Sequence, residues 1–149
     1  MVQQSQEAKL LKIGEVSLGS GLPVKTIRYY DEIGLLVPTV VRSPAGYRLF
    51  HPQILNRLAF IRRAQSLGLH LNEVQQILTV HDQGQRPCGE VRHHLESKLT
   101  EVHQQIEALE TLKIELQGIL SGWQDQPSSD RFEQTICPNL QKGGVGSGE

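Results

Sequence analysis

The most reactive side chains in the sequence are two thiols, Cys88 and Cys137, about fifty residues apart and the only cysteines in a 149-residue chain. One such pair does not make the disulfide framework of a small secreted domain, so its chemistry is that of a soft-metal ligand or a redox couple. The bland reading is two small apolar side chains with no reactivity. There is no Gly-rich phosphate cradle, no pair of carboxylates in a plausible pocket motif and no Ser/His constellation, which argues against an enzyme.

Charge supplies the second functional signal. The formal net charge is only -1, but residues 1–80 hold nine Lys and Arg against five Asp and Glu, and residues 81–149 hold six against eleven. The halves therefore carry +4 and -5. Phosphate attracts only the first, as expected of a nucleic-acid reader joined to a separate assembly module. A purely structural coiled-coil adaptor would leave the basic half unexplained. No apolar run approaches the roughly 18 residues that cross a bilayer, and residues 1–10 lack the layout of a signal peptide, so a cytoplasmic location with no membrane partner is expected.

The elements that must position these groups are mostly helical. Ile13, Val16 and Leu18 precede Ser20-Gly21, and Val24, Ile27 and Tyr30 follow it, with Pro23 at the second helix start and Gly34 at its end. That is helix-turn-helix spacing. Leu35-Leu36-Val37-Pro38 and Tyr47-Arg48-Leu49-Phe50 read as two extended runs around a polar loop, a small β-hairpin or wing. Ile54, Leu55, Leu58 and Ile61 mark a third helix stopped by Gly68, and a fourth runs over residues 71–80, capped by His70 or Asn72. Residues 1–80 thus form one domain and 81–89 a connector.

From 90 to 120 there is no proline, and Leu95, Val102, Leu109 and Leu116 recur every seven residues. Leu99, Ile106 and Leu120 fill the companion register, with Lys113 as its polar exception. About thirty helical residues span roughly 45 Å, too long to bury against so small a domain, so the stripe predicts a homodimer seam. Residues 121–140 read as a loop, with a short helix around 131–136, and the glycine-rich residues 141–149 as a flexible tail.

The run Ile13-Gly14-Glu15-Val16, then Gly21-Leu22, then Thr26-Ile27-Arg28-Tyr29-Tyr30-Asp31-Glu32-Ile33-Gly34-Leu35-Leu36 resembles the N-terminal signature of MerR-type regulators. Arg42-Ser43-Pro44-Ala45-Gly46-Tyr47-Arg48 resembles that family's wing, and the likeness continues in order over about 120 residues. It implies a mainly α fold: a winged helix-turn-helix followed by a long antiparallel coiled-coil dimerisation helix. The resemblance implies that residues 23–33 enter the major groove, making Lys25, Thr26 and Arg28 candidate base or phosphate contacts. Tyr29, Arg42, Tyr47 and Arg48 would hold the DNA backbone, while Tyr30 reads as core. Surface charge is the competing reading of each basic residue, most of all for Arg57, Arg62 and Arg63. The family's members bind palindromic promoters as dimers. On binding an effector they distort an over-long spacer so that RNA polymerase engages both promoter elements.

The resemblance also frames the thiols. Metal-sensing members place one cysteine at the start of the dimerisation helix and others in the loop after it, the first reaching the partner's loop. Cys88 and Cys137 match the first and last positions, Ser121 occupies the middle one, and the loop is longer than usual. In that family a cysteine at the first position goes with sensors of divalent mercury, zinc, cadmium or lead, so Cys88 implies a divalent soft ion of the mercury or zinc class. Two thiolates hold mercury(II) linearly, whereas zinc wants four ligands, for which His93, His94, Asp125 and Asp130 are candidates. Adjacent helix positions 93 and 94 point to different faces, so each histidine reads first as surface. A redox switch linking Cys88 to the partner's Cys137 and an organic-ligand pocket beside Trp123 and Phe132 are the alternatives.

Overall fold

The computed structural model describes residues 9–127 and 135–141. In chain order the elements are β1 (Leu11–Lys12), α1 (Ile13–Ser20), α2 (Val24–Glu32), a 3₁₀ turn (Val37–Thr39), β2 (Val40–Arg42), β3 (Arg48–Phe50), α3 (Ile54–Ser66), α4 (Leu71–Asp82) and α5 (Cys88–Ser121). Within α5 the chain divides into two compact units, one ending at Lys98 and the other starting at Leu99.

In the first unit, α1 and α2 meet at a turn closed by Gly21, whose φ of 76° is left-handed and whose N–H donates to Ser17 O at 2.9 Å. Ser17 Oγ donates to Leu22 O at 2.6 Å, and Arg62 Nη1 on α3 donates to Ser20 O at 2.7 Å. Pro23 caps α2 in extended conformation, its carbonyl accepting from the amides of Thr26 and Ile27. At the other end Gly34 N–H donates to Asp31 O and Leu35 N–H to Tyr30 O, a Schellman closure. Gly68 ends α3 the same way, through its own amide to Gln65 O and that of Leu69 to Ala64 O.

The wing differs from the sequence expectation in where its first strand lies. Residues 35–38 are not extended: Leu35 and Leu36 are fully buried beneath the left-handed Gly34, and Pro38, unable to donate to a ladder, sits in the 3₁₀ turn. The β-branched Val40 and Val41 make the strand instead, with Val40 opposite Phe50 and Arg42 opposite Arg48. A third strand, unforeseen, completes the sheet in the order β1-β3-β2, with Leu11 opposite Phe50.

The core is continuous from Val16, Ile27 and Tyr30 through Leu36 and Phe50 to Ile54, Leu58, Ile61, Val74 and Ile77. Leu18 does not join it and is 88% exposed, because it stands on the opposite side of α1 from buried Val16. Tyr30 is core as expected, donating its hydroxyl to Gln65 Oε1 at 2.8 Å. Burial raises its pKa above 10.0, with Tyr29 adding to the effect and Arg62 opposing it. The neutral phenol thus favours the folded state below pH 10, an advantage lost as pH rises through the raised value.

α4 runs to Asp82, two residues beyond expectation, and its first turn is held by Glu73 Oε1 accepting from His70 N–H at 2.8 Å, which makes His70 the cap. The connector shrinks to residues 83–87, because α5 begins at Cys88 and not at 90. In the second unit α5 continues to Ser121. Gln141, expected to open a flexible tail, lies in a helical turn at 138–141. The helix anticipated around 131–136, the tail from 142 onward, Asp130 and Phe132 lie wholly or mostly outside the described residues. Among the described residues no helix is long and apolar enough to cross a membrane.

Arg57, a surface charge in the bland sequence reading, is buried. Its Nε donates to Leu35 O at 2.8 Å, and Nη1 and Nη2 form a fork to the two carboxylate oxygens of Asp82 at 2.8 and 2.9 Å. Its side chain is only 7% exposed, so breaking the pair leaves Asp82 and a carbonyl without their donor. Arg57→Ala is expected to lower unfolding free energy by about 3 kcal/mol in urea denaturation. A loss below about 1 kcal/mol would assign the pair no structural weight.

Candidate nucleic-acid interface

Helical spacing sorts α2 into two faces. Ile27 and Tyr30 face the core, and Lys25, Arg28 and Tyr29 form an exposed stripe one turn long, with Thr26 half-buried beside it. Of the seven candidate DNA contacts, Arg28, Arg42, Tyr47 and Arg48 come together in a cleft of about 590 Å³. Lys25, Thr26 and Tyr29 are not among its lining residues. The rest of the lining is β1 and α1: Lys12, Ile13, Gly14, Glu15 and Leu18. Sequence reading missed that wall, since nothing marked two-residue β1 as the strand that brings Lys12 beside the wing.

The charges in the cleft have distinct duties. Glu15 accepts from the Lys12 amide at 2.8 Å, closing the first turn of α1. Arg48 is only 16% exposed and donates through Nε to Asp31 Oδ2 at 2.7 Å, with Glu32 at 3.9 Å from Nη2. It was expected to hold the DNA backbone, but the structure first uses it to fasten the wing to the C-terminal end of α2. Arg42 Nη1 donates to Gly46 O at 2.9 Å, which orders the wing tip, where Gly46 has a φ of 95°. Among the described residues neither Lys12 nor Arg28 is held in an ion pair, and both line the cleft. Such a surface, basic and lined by Tyr47, has the chemistry that attracts phosphate.

Cys88, the first residue of α5, has an exposed thiol, and the carbonyl just before it, Pro87 O, accepts from Val91 N–H at 2.9 Å. In the second unit Cys137 is half-buried and its amide donates to Gln141 Oε1 at 2.9 Å, an oxygen shared with the Ile136 amide at 2.6 Å. Asn139 clamps the loop by exchanging two hydrogen bonds with the Gln124 main chain at 2.9 and 2.7 Å. Ser121 Oγ donates back to Gly118 O and is no substitute thiol. His93 is exposed, but His94 is buried, with Nδ1 3.7 Å from Glu73 Oε2 and its ring edge-on to His93 at 5.5 Å, so the surface reading fails for His94. Among the described residues of one chain no group of three or more His, Cys, Asp or Glu is gathered to hold a metal ion.

The heptad positions Leu95, Leu99, Val102, Ile106, Leu109, Leu116 and Leu120 are all exposed in the single chain, as are Leu112 and Ile114. An apolar stripe of this length open to water is the mark of a protein–protein surface.

Two family models cover this architecture: "MerR HTH family regulatory protein" matches residues 11–80 and "MerR, DNA binding" matches residues 55–119. The transcriptional regulator HmrR of Rhizobium leguminosarum bv. viciae is 34% identical over 132 residues, 89% of this chain and 96% of its own. The chain belongs to the MerR family. The mercuric resistance operon regulatory protein of Bacillus cereus is 32% identical over 131 residues, 88% of this chain and 97% of its own. The crystal structure of the transcription regulator PbrR691 from Ralstonia metallidurans CH34, in complex with lead(II), superposes with a TM-score of 0.69. It is 31% identical and covers 80% of this chain and 93% of its own. MerR regulators are not enzymes, and they bind promoter DNA as dimers and act with RNA polymerase.

For a MerR-family head the geometry ranks the cleft cations. Arg28→Ala removes a free charge and is expected to weaken binding to a DNA duplex selected from a random pool by about tenfold to a hundredfold, with the dimer intact by sedimentation. Asp31→Asn leaves every cation of the cleft in place but releases Arg48, so affinity should fall about threefold to tenfold as the wing loosens. Equal affinity for Asp31→Asn and the parent protein in gel-shift titration would remove that brace from the account.

Proposed function

We propose that this chain is a homodimeric, metal-responsive activator in which Cys88 of one protomer and the partner's Cys137 bind a soft divalent cation. The observation that carries the reading is the pair of free thiols: one exposed at the first residue of α5, the other on a backbone held by Gln141 and the Gln124–Asn139 clamp. The B. cereus relative is named for mercuric resistance and the PbrR691 crystals contain lead(II), which supports a metal effector of this class. Two thiols satisfy linear mercury(II) by themselves, whereas zinc needs four donors, and no third donor is gathered with either cysteine among the described residues.

The seam from Leu95 to Leu120 supplies the partner, an antiparallel second copy that covers the stripe. Pairing places two basic heads on the half-sites of a palindromic promoter, in the cytoplasm where the chromosome lies. A bound cation supplies a thiolate bridge between protomers. What the residues do is hold the heads: the wing fixed by Asp31–Arg48 and the reading stripe of α2 keep their grip on DNA that is bent and untwisted. Deforming a site by tens of degrees costs a few kcal/mol, which the effector-bound dimer must offset for RNA polymerase to engage an over-long spacer.

Cys88→Ser and Cys137→Ser are each expected to abolish metal-dependent transcription while leaving duplex affinity within about twofold of the parent. Anaerobic titration of the reduced protein with mercury(II), followed by thiolate–metal absorption, should saturate at one ion per cysteine pair. Full induction by either serine variant would end the thiolate reading. Peroxide-dependent crosslinking of Cys88 to Cys137, without anaerobic metal uptake, would replace it with the redox switch.

A further inference from the structure

Gly14 and Leu18 stand one turn apart on the outer side of α1, and both line the cationic cleft. The inner side is tightly used: Val16 is fully buried, and a side-chain carbon at Gly19 would lie 3.1 Å from Leu55. The outer side is the reverse. A carbon added at Gly14 would meet nothing within 4 Å, and Gly14 is not among the left-handed glycines, so neither space nor backbone conformation calls for glycine there. Glycine within a helix weakens it, and a leucine left 88% exposed forgoes burial. The fold calls for neither residue on that face, yet both line one cleft with Lys12, Arg28 and Arg42.

The first helix of a helix-turn-helix crosses the backbone of the duplex rather than its base edges. That backbone alternates charged phosphates with the apolar carbon edges of deoxyribose. We propose that Gly14 and Leu18 form an uncharged seat for one deoxyribose–phosphate segment of duplex DNA. Gly14 lets the strand come close to the main chain of α1, and Leu18 packs against sugar carbons. Lys12, Arg28 and Arg42, lining the same cleft, take the flanking phosphates. The contact is indifferent to base sequence, and because it neutralises no phosphate it is also indifferent to salt.

The test uses the full-length protein and a duplex of about 40 base pairs that it selects from a random pool, long enough for two half-sites. Leu18→Ala should weaken binding about tenfold, with the slope of log affinity against log salt unchanged. Gly14→Ala should raise the melting temperature by roughly 2 °C yet weaken binding about tenfold. Both losses should persist when every thymine of the duplex is replaced by uracil. Unchanged affinity in either variant overturns the seat. So does a Leu18→Ala loss that vanishes on the uracil duplex, which would mean contact with thymine methyl groups. A salt slope shallower by about one for Leu18→Ala, or a lowered melting temperature for Gly14→Ala, overturns it too, by giving these residues a role in placing a cation or in the fold itself.

Discussion

A guanidinium taken out of water must find its hydrogen-bond acceptors inside the protein, and the way Arg57 finds them fixes how the DNA-binding head is put together. Its three donor nitrogens reach the Leu35 carbonyl at the root of the wing and both carboxylate oxygens of Asp82, the last residue of α4. One side chain on α3 therefore sets where the chain leaves α2 for the wing and where α4 gives way to the connector. Apolar packing around Leu58 and Ile61 supplies attraction without direction, and the planar fork supplies the direction.

The same economy governs the interface. A basic surface that must follow a curved polyanion gains little from cations on floppy stems, because each loses rotamer freedom on binding. Here Asp31 holds Arg48 and the Gly46 carbonyl holds Arg42, so part of the ordering is complete before DNA arrives. An acidic residue in a DNA-binding surface looks like a mistake until its partner is seen. Exposed pairs such as Arg92–Glu96, 81% and 63% open to water, carry no comparable weight.

Much of this was legible from residue order. Gly34 and Gly68 end their helices where expected because both positions demand a left-handed residue, a local requirement that sequence states openly. The heptads of α5 were equally plain, since a seven-residue repeat survives any choice of partner. What escaped depends on partners distant in sequence. The wing strand was placed at residues 35–38 because two leucines before valine resemble a strand, yet the core claims those leucines and leaves pairing to Val40–Arg42. Leu18 was grouped with Val16 although an eight-residue helix gives too few turns to separate its faces. His94 carried a readable signal: with Val91 and Lys98 it repeats at three and four residues, the inner stripe of α5's first turns, where Val91 packs on the core.

Trp123 is the sole tryptophan of the chain, 45% exposed and next in sequence to the Gln124 main chain that Asn139 grips. Intrinsic emission excited at the red edge of the indole band, where the tyrosines of the head do not absorb, is therefore a single-site signal from the segment that ends in Cys137. Its wavelength follows the wetting of one ring, and its intensity is open to quenching by a heavy ion, so the protein comes with a built-in optical probe of its own loop.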